Sequence, residues 1–124
     1  MTLIFGGAYQ GKLSYSLERF NLSEEDVWNC TQGKPDYSRK VLYKMEEVIL
    51  EKIKKGENPV AFLESQLEIL KDKIIIITDL SCGVVPTDPL MRKWREAVGR
   101  CSALLARHSD SVIRVFCGIG TELK

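Results

Sequence analysis

The 124-residue sequence holds a single histidine, no two cysteines at C-x-x-C spacing and no long apolar run. Each absence removes a class of function. His108 has no cysteine at metal-ligand spacing, which excludes the common zinc signatures and leaves buried free thiols as the reading of Cys30, Cys82, Cys101 and Cys117. The most hydrophobic stretch, Ile74 to Ile77, is far too short to span a bilayer. A formal net charge of +1 gives no electrostatic basis for binding nucleic acid or an anionic membrane. The first apolar stretch, Leu3 to Phe5, ends at two glycines and does not resemble a leader, so a cytoplasmic location is expected. Repeats and low-complexity tracts are also missing. What remains is the composition of an ordinary globular chain, 44% hydrophobic and 28% charged, with length for one domain over residues 1–124.

Apolar spacing divides the chain into alternating strands and helices. Thr2 to Phe5 reads as a buried strand, and Leu13, Leu17 and Phe20 give the following segment helical spacing. Asp26 to Cys30 reads as a second short strand, followed by a polar loop from Thr31 to Asp36. Tyr37 to Lys55 carries a helical stripe that Gly56 ends, although Lys40 to Tyr43 also fits a brief strand. Asn58-Pro59 and Asp88-Pro89 each place an N-cap before a proline at the first helical position. Ile74 to Ile77 is β-branched without alternation, as a strand covered on both faces should be. Val112 to Cys117 closes the series. The expected fold is α/β and P-loop NTPase-like: a mostly parallel sheet of about four or five strands with helices on both faces. Trp28 and Trp94 are expected in the core or at an interface.

The chemistry concentrates in Gly6-Gly7-Ala8-Tyr9-Gln10-Gly11-Lys12, which has the G-x-x-x-x-G-K spacing of a phosphate-binding loop between a strand and a helix. Such a loop turns consecutive backbone N–H groups toward an anion, aided by the helix dipole, and its lysine neutralises terminal phosphates. The next residue, normally a Ser or Thr that holds Mg²⁺, is Leu13; Ser14 lies about 100° further round the helix. Asp79, just past the Ile74–Ile77 strand, is the candidate metal carboxylate, with loop capping as its bland alternative. Lys12 and Asp79 are thus the candidate catalytic pair, and Asp79 with Ser14 the candidate Mg²⁺ donors. Asn29, Cys30 and Thr31, ending the second strand, are candidates for further nucleotide contacts.

Both ends of the chain resemble the cobinamide kinase/cobinamide-phosphate guanylyltransferase family of cobalamin biosynthesis. The similarity rests on Gly6 to Lys12 (the family's GGAxSGK loop), Asp79, Gly83-Val84-Val85-Pro86, the R-x-x-R-E-x-x-G-R pattern from Arg92 to Arg100, and the tail Gly118 to Lys124. The resemblance implies a fold that binds ATP or GTP with Mg²⁺, phosphorylates the aminopropanol hydroxyl of a corrinoid, and then transfers GMP through a guanylylated histidine. It also implies a homo-oligomer, in which Arg95 or Arg100 meets phosphate or a neighbouring subunit; a solvated helix face, with Glu96 four residues from Arg92 and Arg100, is the alternative. Two departures stand out. The first half contains no histidine, and His108 falls at a helix end; the middle is shortened, with Lys40 to Tyr43 as the remnant of a strand. The expectation is therefore a nucleotide-dependent kinase that has lost guanylyl transfer, with a non-catalytic nucleotide sensor as the alternative.

Overall fold

The computed structural model describes residues 1–80 and 87–124. Gly83 to Pro86 and Cys82 lie outside the described residues. The elements run β1 (Thr2–Gly6), α1 (Lys12–Arg19), β2 (Val27–Asn29), β3 (Val41–Tyr43), α2 (Met45–Lys54), α3 (Pro59–Leu70), β4 (Ile74–Thr78), α4 (Pro89–His108), β5 (Ser111–Phe116) and β6 (Ile119–Glu122). They build one six-stranded sheet in the order β2-β3-β4-β1-β5-β6, parallel except for β6 against β5.

Right-handed crossovers account for the layering. The step from β1 to β2 runs toward one edge of the sheet, whereas β3 to β4 and β4 to β5 run back the other way. Helices on connections of opposite direction fall on opposite faces. On one face Leu13, Tyr15 and Phe20 pack over Ile4, Val41, Ile76, Ile113 and Val115. On the other, α2, α3 and α4 bury Leu3, Leu42, Ile75 and Ile77 with Ile49, Leu63, Val98 and Leu105. Four isoleucines in succession on β4 are buried because both faces are covered.

Local chemistry sets the element ends. Asn58 Oδ1 accepts from the N–H groups of Val60 and Ala61, and Asp88 Oδ1 from that of Leu90. Both are the expected caps before proline. Lys40 to Tyr43 resolves as strand then helix: β3 ends at Tyr43, and Lys44, at φ 63°, turns the chain into α2. The tail expected after the fifth strand is instead a sixth strand. Cys117 and Gly118, at φ 51° and 74°, form a two-residue hairpin turn with both residues left-handed, and Phe116 pairs with Ile119 across it. This turn also leaves Cys117 exposed, unlike the buried Cys30 and Cys101, so the expectation of a buried thiol fails there.

A Cβ at Gly6 would overlap the Val115 carbonyl oxygen, a backbone atom that cannot swing aside. Gly6→Ala should therefore cost about 1–3 kcal/mol in urea denaturation. Gly99→Ala, with open space around it inside α4, should gain up to about 1 kcal/mol.

Candidate functional site

Three adjacent strands, β3, β4 and β1, end at the same edge of the sheet. Between β1 and β4 the crossovers diverge, which opens the crevice where doubly wound sheets bind ligands. The glycine loop rises from β1 at this point. Tyr9 (φ 60°) and Gly11 (φ 82°) both adopt left-handed backbone, and Gly11 leads into α1 with no side-chain cap. The first-turn amides of α1 are thus left to an anion or to water. Lys12 is buried, with its Nζ donating to the Gly7 carbonyl at 2.7 Å across the loop. The loop is held from outside by Gln10. Its Oε1 accepts from the Cys117 N–H at 2.7 Å, and its carbonyl accepts from the Gly118 N–H at 2.8 Å.

Burial lowers the Lys12 pKa from its ordinary value, and the negative charges of Glu46 and Asp79 oppose that fall; Lys44 adds to it. Asp79 is where the strand reading put it: its N–H donates to the Gly6 carbonyl at 2.8 Å, so it lies directly beside the loop. Glu46 is the residue that sequence reasoning missed. It sits in the first turn of α2, buried, with Oε1 accepting from the Thr78 N–H at 3.0 Å. Its own carbonyl accepts from Trp94 Nε1 at 2.8 Å, so one residue ties α2 to β4 and α4. Nothing in the stretch Lys44-Met45-Glu46-Glu47 separates it from an ordinary helix-start glutamate; burial alone reveals it.

The remaining sequence candidates divide. Ala8 and Tyr9 are exposed at the loop's crest, and Ser14 is exposed on α1. Leu13 is half-buried against the sheet face that carries Val27 and Tyr43. Asn29 uses Oδ1 to accept from the Thr31 N–H and Oγ1, so these two close their own turn at the end of β2. Cys30 is buried, and its thiol is pushed up to about 12 by burial and by the charge of Glu46. Cys30 and Thr31 also line a cavity of about 530 Å³ between the 33–37 segment, α2 and α3. Arg95 is half-buried on α4. Arg100 is not brought to the loop: it pairs with Glu96 at 3.5 Å and lines a cleft with Ile53, Asn58 and Val60. His108 is exposed at the end of α4, just before β5 starts; Ser111 pairs with Thr2, at the start of β1, whereas the loop follows Gly6 at its end. Among the described residues no three His, Cys, Asp or Glu side chains converge on a metal position, so Asp79 and Glu46 stand as two carboxylates beside a lysine.

These environments predict unequal thiol reactivity. At about 12, against an ordinary 9.0, Cys30 and Cys101 carry roughly a thousandfold less thiolate, and both are buried. Alkylation at pH 8, resolved by peptide mass spectrometry, should modify Cys117 first, with Cys30 and Cys101 following only on unfolding. Equal rates at the three would contradict this geometry.

No helix among the described residues is long and apolar enough to cross a membrane. Comparison with curated proteins finds no match. The profile of the family described as cobinamide kinase / cobinamide phosphate guanyltransferase matches residues 37–123, from just before β3 through β6, so Asp79 and Glu46 lie inside the match and the glycine loop precedes it. That family has a nucleotide-binding role in cobalamin biosynthesis, with nucleoside triphosphates and corrinoids as its substrates. With well over half of its length matched, the chain belongs to the cobinamide kinase / cobinamide phosphate guanyltransferase family.

Proposed function

We propose that this protein is a single-domain, nucleoside-triphosphate-dependent kinase acting on the alcohol of a cobinamide-type corrinoid, and that it lacks guanylyl transfer. The observation that carries this reading is the buried Lys12 at the head of an uncapped glycine loop, with Asp79 and Glu46 beside it. ATP or GTP would lay its β- and γ-phosphates over the Gly7 to Leu13 amides, and the Lys12 ammonium would exchange the Gly7 carbonyl for phosphate oxygens. The acceptor hydroxyl then attacks the γ-phosphorus, its proton passes to a carboxylate, and the nucleoside diphosphate leaves. Asp79, whose N–H donates to the Gly6 carbonyl beside the loop, would orient that hydroxyl or the metal. Magnesium asks for only one or two protein carboxylates beside phosphate and water, so Asp79 would serve it without the hydroxyl that Leu13 lacks, and Ser14, exposed on the first turn of α1, would be the second donor. The ion would supply charge neutralisation between the phosphates.

Guanylyl transfer needs a nucleophilic histidine near the phosphates. His108 ends α4, three residues before β5 begins at Ser111; Ser111 pairs with Thr2, at the opposite end of β1 from the loop, about five residues or roughly 17 Å along that strand. Incubation with α-labelled GTP should leave the protein unlabelled; acid-labile label that vanishes in His108→Ala would overturn this part.

One observation favours a second reading. Leu13 is half-buried in packing, not poised for chemistry, and a nucleotide sensor without turnover would need no more than that. Leu13→Ser separates the two: in a kinase it should raise metal-dependent turnover, whereas in a sensor it only forfeits part of the roughly 1.5–3 kcal/mol of a fully buried leucine. The deciding measurement is transfer from γ-labelled nucleotide to cobinamide, for wild type, Asp79→Asn and Leu13→Ser. Turnover that collapses in Asp79→Asn supports the kinase; tight binding without transfer in any of the three moves the function to sensing.

Nucleotide affinity should also report on Lys12. Lys12→Ala should weaken binding about tenfold or more, at least roughly 1.4 kcal/mol. Because the Lys12 pKa is lowered, the ammonium is lost, and affinity falls, as pH rises through values below the ordinary 10.5. Lys12→Arg should abolish that pH dependence, since guanidinium stays charged. Calorimetry across pH checks both.

A further inference from the structure

Lys44 stands beside the loop with no role assigned to it. Leu42 pairs with Ile75 on β4, so Tyr43 ends β3 level with Ile76, while Phe5 and Gly6 of β1 lie opposite Ile77 and Thr78. Lys44, the next residue, leaves the sheet at the level where the glycine loop rises, two strand spacings or roughly 10 Å to the side. It does so at φ 63° and ψ 50°, left-handed backbone that is uncommon outside glycine and asparagine. Its carbonyl accepts from the Glu47 N–H at 3.0 Å, so α2 fixes the root of the side chain. Such a backbone outlier, held firmly beside a site, points to a task there.

The side chain is aimed as well as rooted. Its Nζ lies 5.6 Å from the centre of the Tyr43 ring. That ring packs on the α1 face of the sheet and, with Leu13, lines a cleft of about 380 Å³. The ammonium thus stands on the side of the loop where Leu13 replaces the usual hydroxyl. Lys44 is half-buried, and among the described residues it pairs with no carboxylate. Its charge is also felt at Lys12: burial does most to lower the Lys12 pKa, Glu46 and Asp79 oppose the fall, and Lys44 deepens it. Two ammonium groups that repel each other are both attracted to an anion they share.

We propose that Lys44 is a second phosphate-binding cation, whose ammonium reaches the β- and γ-phosphates held by the loop on the side where Leu13 offers a metal no hydroxyl. The inference rests on the phosphate-loop reading and deepens it. Glu46 and Asp79 bring two negative charges to this edge of the sheet, and Lys12 alone offsets one of them. Lys44 offsets the other with a fixed charge, where nucleotide loops ordinarily rely on the ion. Part of the affinity for a triphosphate therefore needs no metal.

Calorimetry with a non-hydrolysable nucleoside triphosphate, in EDTA and in excess Mg²⁺, tests this without turnover. Asparagine tolerates left-handed backbone, so Lys44→Asn removes the charge and keeps the turn. In EDTA it should weaken binding about tenfold or more, and in Mg²⁺ the loss should be smaller, because the ion then supplies the charge. Lys44→Arg should stay within about threefold of wild type in both. Lys54→Gln, which removes an exposed charge from the last turn of α2, should change neither. Binding that is lost in Lys12→Ala but equal in wild type and Lys44→Asn would overturn this inference and leave the loop reading standing. So would a loss as large in Lys44→Arg or Lys54→Gln, or one of the same size with and without Mg²⁺. No binding by the wild type in either condition would overturn both.

Discussion

A lysine ammonium held out of water is the constraint on which the rest of this structure turns. Burying such a charge is costly unless its surroundings return what water gave. At Lys12 the return comes from the Gly7 carbonyl at 2.7 Å and from the fields of Glu46 and Asp79. Each of those groups is supplied by a different element. Gly7 belongs to the loop after β1, Glu46 to the first turn of α2, and Asp79 to the chain leaving β4. The site exists only because β3, β4 and β1 lie side by side and end together. The ordering of the sheet is therefore a condition of the chemistry, and the contact of Gly6 with the Val115 carbonyl makes the same point at the level of one atom.

The loop is also braced from the far side. Gln10 takes two backbone donors from the β5–β6 turn, so the final hairpin, remote in sequence, fixes the crest of the first loop. Arg19 pairs with Glu122 and ties α1 to the same hairpin, while an added Cβ at Gly120 would overlap the Tyr15 ring. A loop that must offer its amides to phosphate gains from being held before the ligand arrives, since ordering it on binding would subtract from affinity. The exposed thiol of Cys117 is a by-product of that turn.

Much of this was legible in the residues. The G-x-x-x-x-G-K spacing, the unalternating isoleucines and the two capped prolines each have a local cause, and local causes can be read without a fold. Asp79 was legible for a topological reason, because strand ends in a parallel sheet gather at one edge. Lys40 to Tyr43 stayed ambiguous until Lys44 appeared in left-handed backbone, a conformation that the residue type does not advertise. The sixth strand was hidden because Cys117-Gly118 lacks the Asn-Gly signal of such turns. Glu46 was hidden because its role comes from burial against β4 and α4, which pattern cannot show. Arg100 forms the exposed helical ion pair with Glu96 that their four-residue spacing offered as the alternative to a phosphate or subunit contact, a pair of the kind that contributes little.

The central claim is that phosphate is held by the loop and nowhere else in the molecule, and amide chemical shifts on titration with a non-hydrolysable nucleoside triphosphate address it residue by residue. The account predicts that the largest changes fall on Gly7 through Leu13, with smaller ones at Asp79 and at the Cys117 and Gly118 amides that Gln10 holds. Changes confined to the cavity lined by Thr31, Tyr37 and Gln66, with the loop amides unmoved, would contradict it.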